Sequence, residues 1–337
     1  MFRRLHILCA ICLVSVCSVS CKKQDAGSAF KVALLTPGPI SDAGWNAGAY
    51  EGLGRIRDSL GAQISHLETR TPAEFEEAFR DYASRGFRLV FGHGFEFQDA
   101  AARVGADFPN TVFITTSGAT VRPNVSPMVF RLEEGTYLAG MLAGGLTRSG
   151  RIGFIGGIKL PPVEGTFLGY AGGAQAVRPQ TEALQAYIGN FEDVAAAKEN
   201  ALAQIRRGAD VLLHNADAAS FGMFQAARES PGTLALGSNR DQNAVAPDVI
   251  VASATLDVPQ ALLLVARLVK ENSFQPGVMF FGIRDGVVDL VYNDALAARV
   301  PAALRSRIAA ARDSIIAGTL RVPSVEFVPD SVPVARP

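Results

Sequence analysis

The chain has 337 residues, 48% of them hydrophobic and 33 of them glycine, and its 32 Lys+Arg balance 32 Asp+Glu. That length suits about two domains of roughly 100–200 residues each. The composition excludes a disordered or fibrous chain, and the balanced charge leaves no basic footprint for binding nucleic acid.

The N-terminal segment reads as an export signal. Arg3 and Arg4 supply the positive charge, and Leu5 to Val19 then runs almost without charge. That run is shorter than the ~20 apolar residues a membrane-spanning helix needs, so a cleaved signal fits it better. The four cysteines lie at Cys9, Cys12, Cys17 and Cys21, and the rest of the chain has none. The first three read as small apolar residues of the segment. Cys21 differs: it closes the run, follows Ser18-Val19-Ser20 and precedes Lys22-Lys23. It resembles the acylated cysteine of a bacterial lipobox, with Ser18 where leucine is usual. Lys22 to Ala29 would then be the tether to a membrane lipid.

Past the tether, short apolar runs alternate with amphipathic stretches. Phe30–Thr36 reads as a buried strand broken by Pro37-Gly38-Pro39, with helical spacing from Asp42 to Leu60. Helices over 74–85 and 98–107 alternate with strands over 88–91 and 111–115. A second series begins near Gly150. It has strands at 151–155, 184–188, 211–213 and 233–236, and helices at 165–177, 194–207 and 220–229. Such alternation implies βαβ units and parallel sheets. Beyond Val249 come strands at 249–253, 278–281 and 290–292 and helices at 258–271 and 300–317, enough for single elements that cross back between two lobes. The expected fold class is α/β, two doubly wound lobes joined by a multi-crossover hinge. The expected division is 1–20 signal, 21–29 tether, 30–131 with 254–284 as the N-terminal lobe, 132–253 with 285–323 as the C-terminal lobe, and 324–337 as a tail.

No metal-hydrolase, nucleophile-elbow or phosphate-loop motif is present. The glycines of Gly153-Phe-Ile-Gly156-Gly157 lack phosphate-loop spacing and read as a tight strand-to-loop turn. Gly165, Gly169, Gly172 and Gly173 read as close helix packing. No catalytic residue, metal site or cofactor is expected. Four histidines are too scattered to hold a metal. His93 and His214 each follow a strand, so each either reaches the cleft or is a hydrogen-bonded structural imidazole.

In open α/β sheets ligands bind outside the carboxyl ends of the strands, and the polar residues of this chain recur there. After the first strand come Ser41, Asp42, Trp45 and Asn46. Asp42 is placed to cap the following helix, and Trp45, the only tryptophan, either packs in the core or stacks on a planar ligand. Later strand exits carry His93, Gly94 and Phe95, then Asn215 and Asp217, then Asn239 and Asp241. A mostly apolar pocket with a few orienting polar groups suits a small-molecule site.

The run Ile40-Ser-Asp42-Ala-Gly-Trp45-Asn46 with Glu51-Gly52 resembles the opening of the basic membrane lipoprotein (BMP) family. That family includes purine-nucleoside-binding lipoproteins that serve ABC transporters. Phe130–Gly135, Ile152–Gly157, Gly208-Ala-Asp210, Gly222–Ala226, Gly282–Gly286 and Gly318–Pro323 continue the likeness over residues 30–323. The resemblance implies a type I periplasmic-binding fold with three crossovers, a small-molecule ligand, an ABC permease as partner and an extracytoplasmic location. It places Asp42 and Asn46 near a base, Trp45 in place of a stacking phenylalanine, and Phe191 as the second face of an aromatic sandwich. It also marks three departures. Ser117 and Asn239 stand where the family has aspartates, and Leu256 stands where it has a lysine. These changes weaken the inference to a nucleoside and leave room for a planar ligand with fewer hydroxyls or one placed differently. The same closure would serve a sensor that signals to a membrane receptor. A nucleoside hydrolase would need a metal-binding aspartate cluster or an activated nucleophile.

Overall fold

In the computed structural model, residues 29–42 and 44–335 are described; the expected signal segment and Cys21 lie outside them. Strand β1 (Lys31–Thr36) is buried on both faces, as its unbroken apolar run requires. It sits between β3 (Leu89–Gly92) and β2 (Gln63–Glu68). With β4 (Val112–Thr116), β5 (Val125–Phe130) and β11 (Met279–Phe281) these make a parallel sheet in the order β11-β5-β4-β3-β1-β2. The second sheet has the order β12-β10-β9-β8-β6-β7. Its strands are β6 (Arg151–Gly156), β7 (Glu182–Tyr187), β8 (Val211–Asn215), β9 (Leu234–Asn239), β10 (Ile250–Leu256) and β12 (Val288–Tyr292), with β12 antiparallel at the edge.

Helices α1 (Trp45–Leu60), α2 (Pro72–Ser84), α3 (Gln98–Gly105) and α8 (Val258–Lys270) belong to the first lobe. The second lobe carries α4 (Leu132–Leu146), α5 (Pro161–Val177), α6 (Val194–Arg206), α7 (Ser220–Glu229) and α9 (Ala302–Ala317). Local chemistry sets several ends: Thr71 and Glu74 form a capping box at α2, and Gly61, with φ +63°, closes α1.

The backbone passes between the sheets near Arg131, at Asp257 and between Phe281 and Val288. The second passage was expected at 253/254; β10 instead stays in the second sheet through Leu256 because its register with β9 and β12 continues to Thr255 and Leu256. The passages are tied side by side. Arg131 N–H donates to Phe281 O at 2.8 Å, and Asp257 N–H to Val287 O at 2.7 Å. The buried Glu134 carboxylate accepts from Ile283 N–H at 2.8 Å. Burial raises the Glu134 pKa above the ordinary carboxylate value, and this hydrogen bond and Arg131 pull against the rise.

A further connection comes from the C-terminal tail. Pro323 lies against Gly172 of α5, and Val325 near Gly165, where a side chain on either glycine would meet the tail. The tail then returns to the first lobe: Phe327 meets Phe95 edge-on at 5.7 Å, and Val334 bridges Val278 beside β11. Gly169 and Gly173 face the other way and let α5 lie on the backbone of α4 at Glu133 and Tyr137. Gly153 and Gly156, expected to form a turn, are inside β6. A side chain on Gly153 would strike Gln204 and Leu212, and one on Gly156 would strike Tyr187.

Candidate functional site

The carboxyl ends of both sheets face a cleft between the lobes. Its inner chamber, with a void of about 620 Å³ including the part open to solvent, is lined by both lobes. The first lobe gives Trp45, Gly94, Phe95, Ser117 and Phe130; the second gives Thr166, Phe191, Asn215, Asp217, Asn239 and Leu256. A wider outer chamber of about 1060 Å³ is lined by Asp42, Asn46, Arg70, Glu96, Phe191 and Asp217, among others.

Trp45 opens α1. Its indole stacks on His93 with centroids 3.9 Å apart and meets Phe130 edge-on at 5.8 Å. Indole Nε1–H donates to His93 O at 3.4 Å, and His93 Nε2 lies 3.0 Å from Trp45 O. His93 is fully buried and lines neither chamber; its role is to back the tryptophan. Burial pushes its pKa down to about 3, so the imidazole is neutral. Asp42 caps α1: one carboxylate oxygen accepts from Gly44 N–H and Ala47 N–H and the other from Asn46 N–H, at 2.7–3.0 Å. The helix therefore begins at Trp45, not at Asp42, and the capping fixes where the indole projects.

Phe191 lines both chambers from the second lobe, and Gly157 makes room for its ring. Ser117, Asp217 and Asn239 have φ of +67°, +42° and +68°. Only one other non-glycine residue among those described, Asn272, has a positive φ. Ser117 and Asp217 follow strands and Asn239 ends one, and each lines the inner chamber. Left-handed backbone in non-glycine residues is uncommon and clusters at binding sites. Burial, then Asp42 and Glu96, push the Asp217 carboxyl well above the ordinary carboxylate range. Burial raises Glu96 as well.

Of the expected site residues, Trp45, Gly94, Phe95, Ser117, Phe191, Asn215 and Asn239 meet in the inner chamber, and Asp42 and Asn46 in the outer one. Ser41 and Asp241 are exposed and line neither; Asp241 accepts from Asn243 N–H at 3.0 Å and so shapes its own turn. His214 is structural, its Nε2 2.8 Å from Gln242 Oε1 and its pKa lowered by burial to about 4. Sequence reading noted Asp217 at a strand exit without counting it among the site residues, and did not select Glu96, Phe130 or Thr166. Among the described residues no His/Cys/Asp/Glu group is arranged to hold a metal, and no helix is long and apolar enough to cross a membrane.

Two α/β lobes with a ligand-sized cleft at their strand ends form the type I periplasmic-binding fold. A solute-binding protein from Aeropyrum pernix K1 superposes with a TM-score of 0.81 at 20% identity, over 88% of this chain and 94% of that one. Residues 29–325 match the Bmp family, ABC transporter substrate-binding protein PnrA-like, and the chain belongs to that family. It is 28% identical over 300 residues to basic membrane protein A2 of Borrelia garinii subsp. bavariensis, covering 87% of this chain and 88% of the relative. It is 26% identical over 355 residues to the ABC transporter nucleoside-binding protein BmpA of Lactococcus lactis subsp. cremoris, covering 96% and 100%. The family comprises extracytoplasmic solute receptors, not enzymes. Its members have a small-molecule ligand and a transporter permease as partners.

Proposed function

We propose that this protein is the lipid-anchored receptor of an ABC importer and that it holds a small planar ligand, a nucleoside, nucleobase or related heteroaromatic, between Trp45 and Phe191. The observation that carries the reading is that these two rings, one from each lobe, line a single chamber. The family relation and the nucleoside-binding name of the Lactococcus lactis relative support it. The chamber lacks a lysine at Leu256 and an aspartate at Ser117 and Asn239, which argues for weak ribose recognition. Closure of the lobes around the ligand by hinge motion follows from the crossings at Arg131, Asp257 and 281–288.

Native mass spectrometry of protein purified from its host weighs any ligand carried along. Calorimetry against adenosine, guanosine, inosine and their free bases then ranks candidates. Bases should bind at least as well as their nucleosides. A large ribose-dependent gain, or failure of every heteroaromatic compound, counts against the reading. The anchor is tested separately, because Cys21 carries it. Cys21→Ser should move the protein from the membrane to the soluble fraction, and a variant retained unprocessed at the same level removes the lipoprotein assignment.

A further inference from the structure

Asp217 stands where the two chambers meet and lines both. Its residue is 7% exposed, and its backbone is held at φ +42°, a conformation that non-glycine residues seldom adopt. Its hydrogen-bonding is nearly empty: Asn239 Nδ2–H approaches Oδ1 at 3.5 Å, the outer limit for such a bond. The contrast with Asp42 is sharp, since both oxygens of that carboxylate are filled by backbone N–H groups.

Among the described residues, the surroundings supply further acceptors and no free cation. Glu96 lines both chambers beside Asp217. Asn46, 2% exposed and lining the outer chamber, has an Oδ1 without any partner. Among the described residues Arg70 is the only basic one lining either chamber, and its guanidinium is held by Glu68 at 2.5 Å and Glu192 at 2.8 Å. Buried acceptors left without donors are unfavourable. Burial with two nearby carboxylates disfavours the ionised form of Asp217, and a donor or cation arriving opposite would restore it.

Resting on the reading of the cleft as a site for a planar ring, we propose that Asp217 is the specificity-determining residue for the edge of that ring, and that it selects ligands presenting an amino group or protonated ring nitrogen over rings that present acceptors alone. Trp45 and Phe191 grip the faces and are indifferent to the edge, so selectivity and stacking are carried by different residues.

Trp45 is the only tryptophan, so its fluorescence reports a ring in the cleft independently of how the edge is read. The full chain is titrated with purine, adenine and 2,6-diaminopurine, which share one bicycle and differ in amino groups. All three should quench Trp45, with affinity rising in that order and spanning at least about tenfold, the size of one charge-assisted hydrogen bond. Asp217→Asn keeps a residue type that tolerates left-handed backbone and should shrink the span to about threefold or less, with a melting curve to confirm folding. Asp217→Gly, free of any left-handed strain, replaces it if the asparagine variant does not fold. Equal affinities in the wild type, or an undiminished span in the variant, overturn the role of Asp217 while leaving ring binding intact. Absence of quenching by all three overturns ring binding itself, and this inference with it.

Discussion

The first lobe's aromatic platform is assembled before any ligand arrives, whereas Asp217 and Asn239 on the second lobe's wall are left with only long contacts. In the first, the Trp45 indole is stacked on a neutral His93, edged by Phe130 and aimed by a helix whose N-terminus Asp42 has capped. In the second, Asn215 Nδ2–H donates to Thr166 Oγ1 at 2.9 Å, but Asp217 and Asn239 meet their neighbours only at 3.4–3.5 Å. Phe191 stands in the space Gly157 leaves. The two walls divide the labour. A rigid platform supplies most of the contact area, and a polar wall under mild backbone strain supplies discrimination once the lobes close.

That division predicts unequal penalties for removing the two rings. Trp45→Ala loses stacking, burial and the contact that His93 was placed to make, so binding should weaken by about 2–4 kcal/mol, the size of a hot spot. Phe191→Ala removes a ring with less around it and should weaken binding by about 1–2 kcal/mol. Calorimetry with the tightest base or nucleoside measures both. Equal losses, or a larger one at Phe191, would break the comparison.

The platform also has a proton signature. An unfolded imidazole titrates near ~6.5, while buried His93 titrates at about 3. Between these values the unfolded chain holds a proton that the native chain lacks. His93 therefore lowers stability as pH falls through that window. The raised carboxyls Asp217 and Glu96 act with the opposite sign, so the whole-protein profile is a sum, and the variant isolates one part of it. His93→Asn should be less sensitive to acid than wild type, by about 1.4 kcal/mol per pH unit between roughly pH 4 and 6. Urea unfolding at stepped pH reads this directly. Parallel profiles would mean that His93 is not the buried neutral group the platform requires.

How much of this was legible in the sequence follows the same physics. Strands buried on both faces, such as β1 and β8, announced themselves as apolar runs. Strand β2 escaped because QISHLE is half exposed and polar, an edge strand with little apolar signal. Strand β5 was hidden by Pro127, which reads against an interior strand although β5 lies between β4 and β11. Helix α4 was missed because nearly all its length is buried, so it shows glycines and apolar residues in place of an amphipathic stripe. In the site, Trp45 and Asn46 were found from strand-exit logic and family likeness. Phe130 and Thr166 carry no local signal, since only the crossing of the chain and the packing of α5 bring them to the chamber.

The tail offers a smaller test of how firmly the walls are held together. Phe327 reaches from the second lobe's side to Phe95 of the first, edge-on at 5.7 Å, and Phe95 lines the inner chamber. Phe327→Ala should weaken ligand binding by about 0.5–1.5 kcal/mol, the increment of an aromatic pair, with faster release as the main cause. Stopped-flow measurement of release from the wild-type and variant proteins separates the rates. Unchanged release would show that the tail crosses the hinge without restraining it.

The least expected effect lies at the rim. Arg70 of the first lobe donates to Glu192 of the second at 2.8 Å, and both side chains are about half exposed, at 54% and 42%. A pair this open gains little in water, typically ~0.2–1 kcal/mol, and is screened by salt. Arg70 also binds Glu68 on its own lobe, so Arg70→Ala alone confounds two contacts. A double-mutant cycle with Glu192→Ala isolates the bond across the rim. Its coupling to ligand affinity should be about 0.2–1 kcal/mol at low ionic strength and should fade as salt is raised. If the pair instead couples by several kcal/mol, the rim rather than the aromatic platform holds the lobes closed. The contrast between a preassembled wall and a reading wall would then have to be redrawn with the latch as its dominant element.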